Sequence, residues 1–543
     1  MHFFPSLPKS SIGVNSCYID RLPDDVLRMI FKLICEEDQA TFYDYSMQNE
    51  RRGRHWDDWE TDYYHYQDIY AEGINDPPPS ALISAMGVCE RWNCLISQTP
   101  TLWTVLQISF GDGAASLEYA RTFLQRSGTH PLKITLLWND PHNPFNGVPQ
   151  RFSPSYASDP PASVNETVAG AYLCLIIMEL HAQVHRWREF TLRTTSQTHI
   201  HQALLLISRP CVHPARMLEK LHLQLVHGQF DADPVHYGSL VFPGSASPIN
   251  DLILFGMSWS WLSPTVFSSH LVNLRIHYRM SVHEDDRDTS TTAKALSQLL
   301  GALVNLQTLA LEVDMYPLAT DIMSPIELPH LHYLAIKSWT MECWTANFLY
   351  NVHMPNLRIL ILDGVDFDFD LTEVDFEDIL QELIRLTKEA PNSPLELDEL
   401  HLVNFTHRAD PQLLHCLYKQ MTSVKVLTLG PAVSYTNDTW AIGLLPTPRG
   451  LADLPLPGLR ILLLFDVSRD IVRRIVLERL SLTGPLEELY YREEKDQGNE
   501  DREEQDEIVP DDWQHQVEKY HRIGDVESER YCDVVNRRWS YLD

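Results

Sequence analysis

Leu218-Glu219-Lys220-Leu221-His222-Leu223 carries the pattern that decides the fold: apolar, two free positions, apolar, one free position, apolar. The phrase returns at Trp187-Phe190-Leu192, Ile249-Leu252-Leu254, Leu271-Leu274-Ile276, Leu306-Leu309-Leu311 and Leu331-Leu334-Ile336. It continues at Leu357-Leu360-Leu362, Leu397-Leu400-Leu402, Val424-Leu427-Leu429, Leu459-Leu462-Leu464 and Leu486-Leu489-Tyr491. Side chains in a strand alternate between faces, so the last two apolar residues share one side and the first falls in the turn that leads in. Each strand then has a greasy face that only a neighbouring repeat and its own helix can cover. The intervening segments supply those helices. Ala295, Leu296, Leu299, Leu300 and Leu303 recur at helical spacing in Thr292 to Val304, as do Phe376, Ile379, Leu380, Leu383 and Ile384 in Val374 to Leu386. Ile475, Val476 and Leu480 continue the theme in Ile471 to Leu480. Strand, turn and helix in succession predict an α/β solenoid with parallel strands.

Working toward the N-terminus, Val105 to Ser109 and Leu132 to Leu137 read as strands flanking a helix at Leu117 to Gln125, a degenerate first unit. Asn139 to Ser163, rich in Pro, Asn and Ser, reads as a long loop. The repeats resemble leucine-rich repeats, with a spacing of roughly 22 to 40 residues that overlaps that family's period at its low end. The resemblance covers residues 104–492 and implies an irregular right-handed solenoid. The asparagine that family repeats carry after the strand is clear only at Asn404.

The leucines build the scaffold, so information about a ligand is expected in the outward positions between them. These are Lys220, His222 and Gln224; Asn273, Arg275 and His277; Tyr333, Ala335 and Lys337; Glu399, His401 and Val403; Glu488, Tyr490 and Arg492. Two strands break the polar rule, with Ile359 and Ile361 in one and Ile461, Leu463 and Phe465 in the other. These five are the candidate target-binding residues, an apolar floor on which a substrate or a covering segment of the same chain lies.

Ahead of the repeats stand Leu22-Pro23-Asp24-Asp25-Val26-Leu27-Arg28-Met29-Ile30-Phe31 and Val88-Cys89-Glu90-Arg91-Trp92, the latter running on to Thr99-Pro100-Thr101-Leu102-Trp103. Pro23 suits a first helical position, and Asp24 and Asp25 put negative charge at the positive end of a helix. Val26, Leu27, Ile30, Phe31 and Ile34 form one wide apolar stripe, with Arg28 and Lys32 facing water. Ser80 is a plausible N-cap for a second helix carrying Leu82, Ile83 and Met86, and a third carrying Trp92, Leu95 and Ile96 should stop near Pro100. Three such helices hold more apolar surface than they can bury among themselves, and each aromatic alone covers ~150–250 Å².

The two fragments resemble the halves of an F-box. The resemblance implies binding of a Skp-type adaptor and, through it, a cullin scaffold. The family's adaptor-binding positions fall on Leu22, Pro23, Val26, Leu27, Ile30, Phe31, Val88, Cys89, Trp92, Pro100, Leu102 and Trp103. Between the halves, at about 36–79, lies an acidic and aromatic insertion that the compact F-box lacks, read as a surface loop.

Composition narrows the alternatives. Acidic residues number 74 against 43 basic ones, a formal net charge of −31, which argues against a binder of nucleic acid or anionic membrane. Nine cysteines without a Cys-x-x-Cys pair resemble neither a disulfide framework nor a structural zinc site, and fit an intracellular compartment, cytoplasmic or nuclear. Met1 to Pro5 does not read as a secretory signal, and Ala171 to Met178 reads as a buried helix segment, short of the ~20 residues a membrane span requires. Residues 1–18 are read as a tail, and 493–543 as an acidic, partly disordered one in which Trp513, Tyr520, Tyr531 and Trp539 leave room for a terminal helix.

Enzyme motifs are missing from the sequence: no phosphate loop, no dinucleotide fingerprint and no nucleophile elbow. His181 and His185, one helical turn apart, lack the glutamate that would activate zinc-bound water, so neither a metal nor a cofactor is expected. With no such motif in view, what the F-box resemblance implies is a non-enzymatic substrate-receptor subunit of an SCF-type ubiquitin ligase that holds a protein target on its repeats. The alternative is a repeat scaffold acting outside any ligase.

Overall fold

The computed structural model describes residues 22–35, 81–109, 115–138, 164–194, 196–209, 213–225, 248–257, 270–278, 289–313, 325–338, 343–364, 376–388, 395–403, 410–430, 438–446, 454–493 and 514–522. The insertion at 36–79, the segment 1–18, the loop at 139–163, Asn404, and Trp513, Tyr531 and Trp539 lie outside the described residues. The chain divides into two compact units, Met1–Trp187 and Arg188–Asp543. The first unit thus holds the N-terminal helices together with the first two strands and their helices. Among the described residues sixteen strands pair in parallel, two in the first unit and fourteen in the second, where two of the fourteen form a separate pair.

The first unit opens with α1 (24–35), α2 (Ala81–Met86), α3 (Glu90–Ser97) and a 3-10 turn at Pro100–Trp103. Next come β1 (Val105–Ser109), α4 (Ala115–Arg126), β2 (Leu132–Trp138) and α5 (Val164–His181). Strand β1 pairs with β2 so that Leu106 and Ile108 meet Ile134 and Leu136, and all four are buried. Trp103 closes the helices over this pair. Its indole N–H donates to the Ile96 carbonyl at 2.8 Å, the Phe123 ring meets it edge-on at 4.8 Å, and the Arg126 guanidinium lies 4.3 Å from its ring centre. Burial holds the Arg126 pKa below its usual value. Trp138 ties β2 to α5 by donating to the Ala169 carbonyl at 3.1 Å.

The expectation of a buried α5 holds on one side only: Ile176, Ile177 and Leu180 are buried, whereas Val168, Leu175 and Met178 are exposed. That helix ends at His181, and His185 sits in a separate 3-10 turn, Val184–Arg186. The two histidines therefore do not share a helical face.

The second unit runs β3 (Trp187–Thr194), α6 (Gln197–Ile207), β4 (Lys220–Leu225), β5 (Asp251–Phe255), β6 (Asn273–Tyr278), α7 (Thr289–Ala302) and β7 (Thr308–Val313). It continues through β8 (Ile326–Glu327), β9 (Tyr333–Ser338), α8 (Cys343–Asn351), β10 (Val352–His353), β11 (Ile359–Gly364), α9 (Phe376–Lys388) and β12 (Glu399–Val403). The remainder is α10 (Pro411–Gln420), β13 (Val426–Leu429), α11 (Asp438–Ile442), β14 (Ile461–Val467), α12 (Arg469–Leu482), β15 (Glu488–Glu493) and β16 (Lys519–Arg522). Strands β8 and β10 pair with each other, and the other strands of this unit, from β3 to β16, pair in chain order.

The register follows the leucine phrase. Phe190, Leu221, Leu252, Leu274, Leu309, Leu334, Leu360, Leu400, Leu427, Leu462 and Leu489 stand opposite one another across the ladder. These residues, their partners two positions on and the leading residues of every phrase are all buried. Burial of each such side chain contributes roughly 1.5–3 kcal/mol. Helix ends are satisfied locally: Asp410 caps α10 by accepting from the Gln412 amide at 2.9 Å, with Pro411 at the first helical position. Arg479 on α12 is fully buried and donates to the carbonyls of Pro455 and Leu456 at 2.8 and 2.7 Å, bracing the turn that precedes β14.

One element departs from the expected acidic tail. Strand β16 adds to β15 in register, with Val517 buried at the leading position and Tyr520 opposite Leu489. The phrase is present there as Val517, Tyr520 and Arg522, but its last member is charged and escapes a search for apolar residues.

Gly256 shows what the ladder demands of the backbone. It follows β5 with φ of +68°, donates its amide to the His277 carbonyl at 2.7 Å, and leaves only 2.7 Å between an added Cβ and the Leu225 carbonyl oxygen. Gly256→Ala is expected to lower the free energy of opening of the β5 and β6 amides by about 2 kcal/mol, read by native-state hydrogen exchange.

Candidate functional site

The α1 stripe is split by the fold. Leu27 and Phe31 are fully buried, and the Phe31 ring meets Trp92 of α3 edge-on at 5.1 Å. Leu102 and Trp103 lie in the same interior, and the buried Trp92 indole N–H meets no acceptor among the described residues. Five of the twelve expected adaptor-binding positions, Leu27, Phe31, Trp92, Leu102 and Trp103, are buried within the unit's interior.

The other seven reach the surface to differing extents. Pro23 and Val88 are exposed, while Leu22, Val26, Ile30, Cys89 and Pro100 are half-buried. The structure adds three apolar residues that the sequence reading passed over as contact positions: Met29 at 65% exposure, Leu33 at 62% and Ile83 at 41%. Val26, Met29, Ile30 and Leu33 follow 3-4 spacing, so α1 has a second apolar side turned away from Leu27 and Phe31. That spacing was available in the sequence.

In the second unit the outward positions do share one side of the sheet, arranged in three rows. Across one row Thr191, His222, Ile253, Arg275, Ala310, Ala335, Ile361, His401, Thr428, Leu463 and Tyr490 stand in register. From β7 to β14 this row is closed. Ala310, Ala335, Ile361 and Val403 form one buried cluster flanked by Tyr333 and Ile359; Val426, Leu463 and Phe465 form another flanked by Ile461 and Tyr490. The five candidate target residues therefore do gather into two apolar clusters, but Ile361, Leu463 and Phe465 are buried and only Ile359 and Ile461 are partly open. The small side chains of Ala310 and Ala335 let Ile361 sink between its neighbours, so this floor is interior rather than an open binding surface.

From β3 to β6 the same row stays half-open and polar, through Thr191, His222 and Arg275. Lys220 pairs with Asp251 at 3.3 Å, His277 stacks on Phe255 with ring centres 3.7 Å apart, and Glu312 receives both His277 at 3.0 Å and Lys337 at 3.5 Å. At the strand-start edge His270, Val272, Asn305, Gln307 and His330 line a shallow hollow.

The arrangement nearest to catalytic chemistry is a row of three on β12 and β13. His401 Nδ1 lies 2.8 Å from Thr428 Oγ1, and its Nε2 lies 3.3 Å from Glu399 Oε2. A hydroxyl, an imidazole and a carboxylate in this order could activate a nucleophile, but Thr428 and His401 are both buried and no substrate can reach the hydroxyl. Burial drives the His401 pKa down to about 4, so the imidazole is neutral at pH 7. Among the described residues, no group of three or more His, Cys, Asp or Glu side chains is placed to hold a metal ion, and no helix is long and apolar enough to cross a membrane.

No protein-family model matches the chain, and no curated protein matches its sequence. The site is therefore read from its own geometry.

His401 gives acid a specific point of attack. In the unfolded chain a histidine takes up a proton near pH 6.5, whereas the folded His401 resists until about pH 4. Between these values the unfolded state holds the extra proton, so stability is full above pH 6.5 and falls as the pH drops, by about 3 kcal/mol at most. His401→Gln, which retains a hydrogen-bonding partner for Thr428, is expected to flatten the acid side of the stability curve by that amount, checked by urea unfolding between pH 7 and 4.

Proposed function

We propose that this chain is a substrate-receptor subunit of an SCF-type cullin-RING ubiquitin ligase. The N-terminal helices take the place of an F-box and bind a Skp-type adaptor, and through it a cullin scaffold. The parallel array is a leucine-rich-repeat-like solenoid that holds the protein target. Chemistry belongs to the partner subunits, and this chain contributes recognition.

The observation that carries the reading is the second apolar side of α1. Leu27 and Phe31 already satisfy the core, yet Val26, Met29, Ile30 and Leu33 continue around the helix into solvent beside Pro23. A contiguous exposed apolar patch rimmed by charge is the mark of a protein–protein contact, and here Asp25, Arg28 and Lys32 provide the rim. The ordered pair of sequence fragments supplies the partner's identity. On the second unit, the half-open row of Thr191, His222, Ile253 and Arg275 suits a target better than the closed apolar clusters of β7 to β14.

The test separates contact from core. Met29→Glu with Leu33→Glu alters exposed positions only, and is expected to weaken binding of a purified Skp-type adaptor at least about 100-fold with little change in melting temperature, because a few anchors carry most interface energy. Leu27→Ala should instead lower the melting temperature. Undiminished adaptor binding by the double glutamate variant, or no binding by the parent chain, would leave the repeat scaffold as the better reading.

A further inference from the structure

We infer that Arg91 is a positioning residue for the adaptor-docking face, a role that rests on the reading just given. Pro23 is tied to α1 by its own carbonyl, which accepts from the Leu27 amide at 3.1 Å, whereas Leu22 stands one residue further out and is held from another element. Arg91, on α3, provides that hold. Its Nη2 donates to the Leu22 carbonyl at 2.6 Å and to Asp24 Oδ1 at 2.6 Å, while its Nε donates to the same carboxylate oxygen at 3.2 Å. One guanidinium thus joins the peptide in front of the helix to the first acidic residue within it. The adjacent Trp92 packs on Phe31, so α3 grips α1 at two levels, one at the rim and one in the core.

The rim contact is built for placement more than for stability. The Arg91 and Asp24 side chains are 36% and 52% exposed, and ion pairs so open to solvent add little to folding free energy. Fixing the Leu22 carbonyl is a different matter, because it holds Leu22 and Pro23 beside the outward side of α1 before a partner arrives. Ordering done in advance is ordering that binding need not supply. The geometry also requires arginine. A planar fork can serve a carbonyl and a carboxylate together, whereas a lysine is a single point charge on a flexible stem. Asp24 sits at the helix N-terminus, where its charge is already favoured, so it keeps its place when Arg91 is removed.

The experiment uses the full chain and a purified Skp-type adaptor, with affinity from calorimetric titration, melting temperature, and exchange of the Leu27 amide, which donates to the Pro23 carbonyl at 3.1 Å, in the absence of adaptor. Arg91→Ala is expected to weaken binding about tenfold, to speed exchange of the Leu27 amide, and to shift the melting temperature by no more than about 2 °C. Arg91→Lys should recover less than half of the lost affinity, and Asp24→Asn combined with Arg91→Ala should be no worse than Arg91→Ala alone. If the parent chain binds and Arg91→Ala binds equally well, the positioning role is wrong while the adaptor reading stands. If affinity falls only with the melting temperature and Arg91→Lys restores both, Arg91 is a brace of the fold and the inference fails. Absence of binding by the parent chain would overturn the adaptor reading and this inference with it.

Discussion

The constraint on which the second unit depends is register. Parallel strands at about 4.8 Å spacing place each buried leucine over the one before it, and a slip of one residue would turn every leucine to the opposite side. Eleven phrases repeating the same six-residue spacing leave a single alignment that buries them all, and the observed pairing is that alignment. The leading residue of each phrase, buried in the turn, fixes where the strand begins. Backbone bonds between successive turns then carry the ladder past the strand ends, as in Gln307 to Val272, His332 to Gln307 and Arg358 to His332. Side chains reinforce the same edge where charges alternate, with Arg188 on Glu219, Lys425 on Asp398 and Arg460 on Glu487.

Such a ladder limits where function can reside. Strands that follow one another in chain order never reverse direction across the sheet, so among the described residues of the second unit there is no switch-point crevice of the kind in which doubly wound α/β proteins bind ligands. What remains are the two sides of the sheet and its edges. One side is committed to leucine. The other is committed to packing from β7 to β14, where even polar groups have been drawn inward: His401 and Thr428 answer each other, and Asp466, at a left-handed φ of 57° in the bulge of β14, is held by both Arg492 nitrogens. Aspartate tolerates that conformation better than most residues, and the paired arginine stacks over Phe465 at 5.4 Å.

Strands were legible in the sequence because their period is short and their register is shared. Strand β1 falls on the expected residues, and α4, α7, α9 and α12 fall within a few residues of theirs. Depth was not legible. Periodicity shows which residues of α1 share a stripe, but it does not say which half of a wide stripe meets the rest of the chain, so Leu27 and Phe31 were grouped with Val26 and Ile30. The closing of Ile361 depends on Ala310, Ala335 and Val403, which reach it from three other strands and are invisible to a local pattern. Strand β16 was missed for the opposite reason: its register is set by β15, while its own sequence has too little apolar character to announce it. The enzyme-like row of Glu399, His401 and Thr428 also exists only through strand pairing, and burial removes its chemistry.

The two sides of α1 bear on function because folding accounts for only one of them. Leu27 and Phe31 complete the core, so polar residues at 29 and 33 would leave that packing untouched. A chain with a net charge of −31 has no shortage of polar character for such places. A single exposed apolar side chain calls for no explanation, since much of any protein surface is apolar. Met29 and Leu33 are not single: they lie one turn apart, continuous with half-buried Val26 and Ile30, and share the unit with exposed Val88 and Ile83. Flanking charges confine the patch, with Arg28 held to Asp25 at 3.0 Å and Asp24 held to Arg91. Among the described residues this apolar surface is not used by the fold, and the charges that bound it are tied down, so burying it would add free energy that folding has left unclaimed.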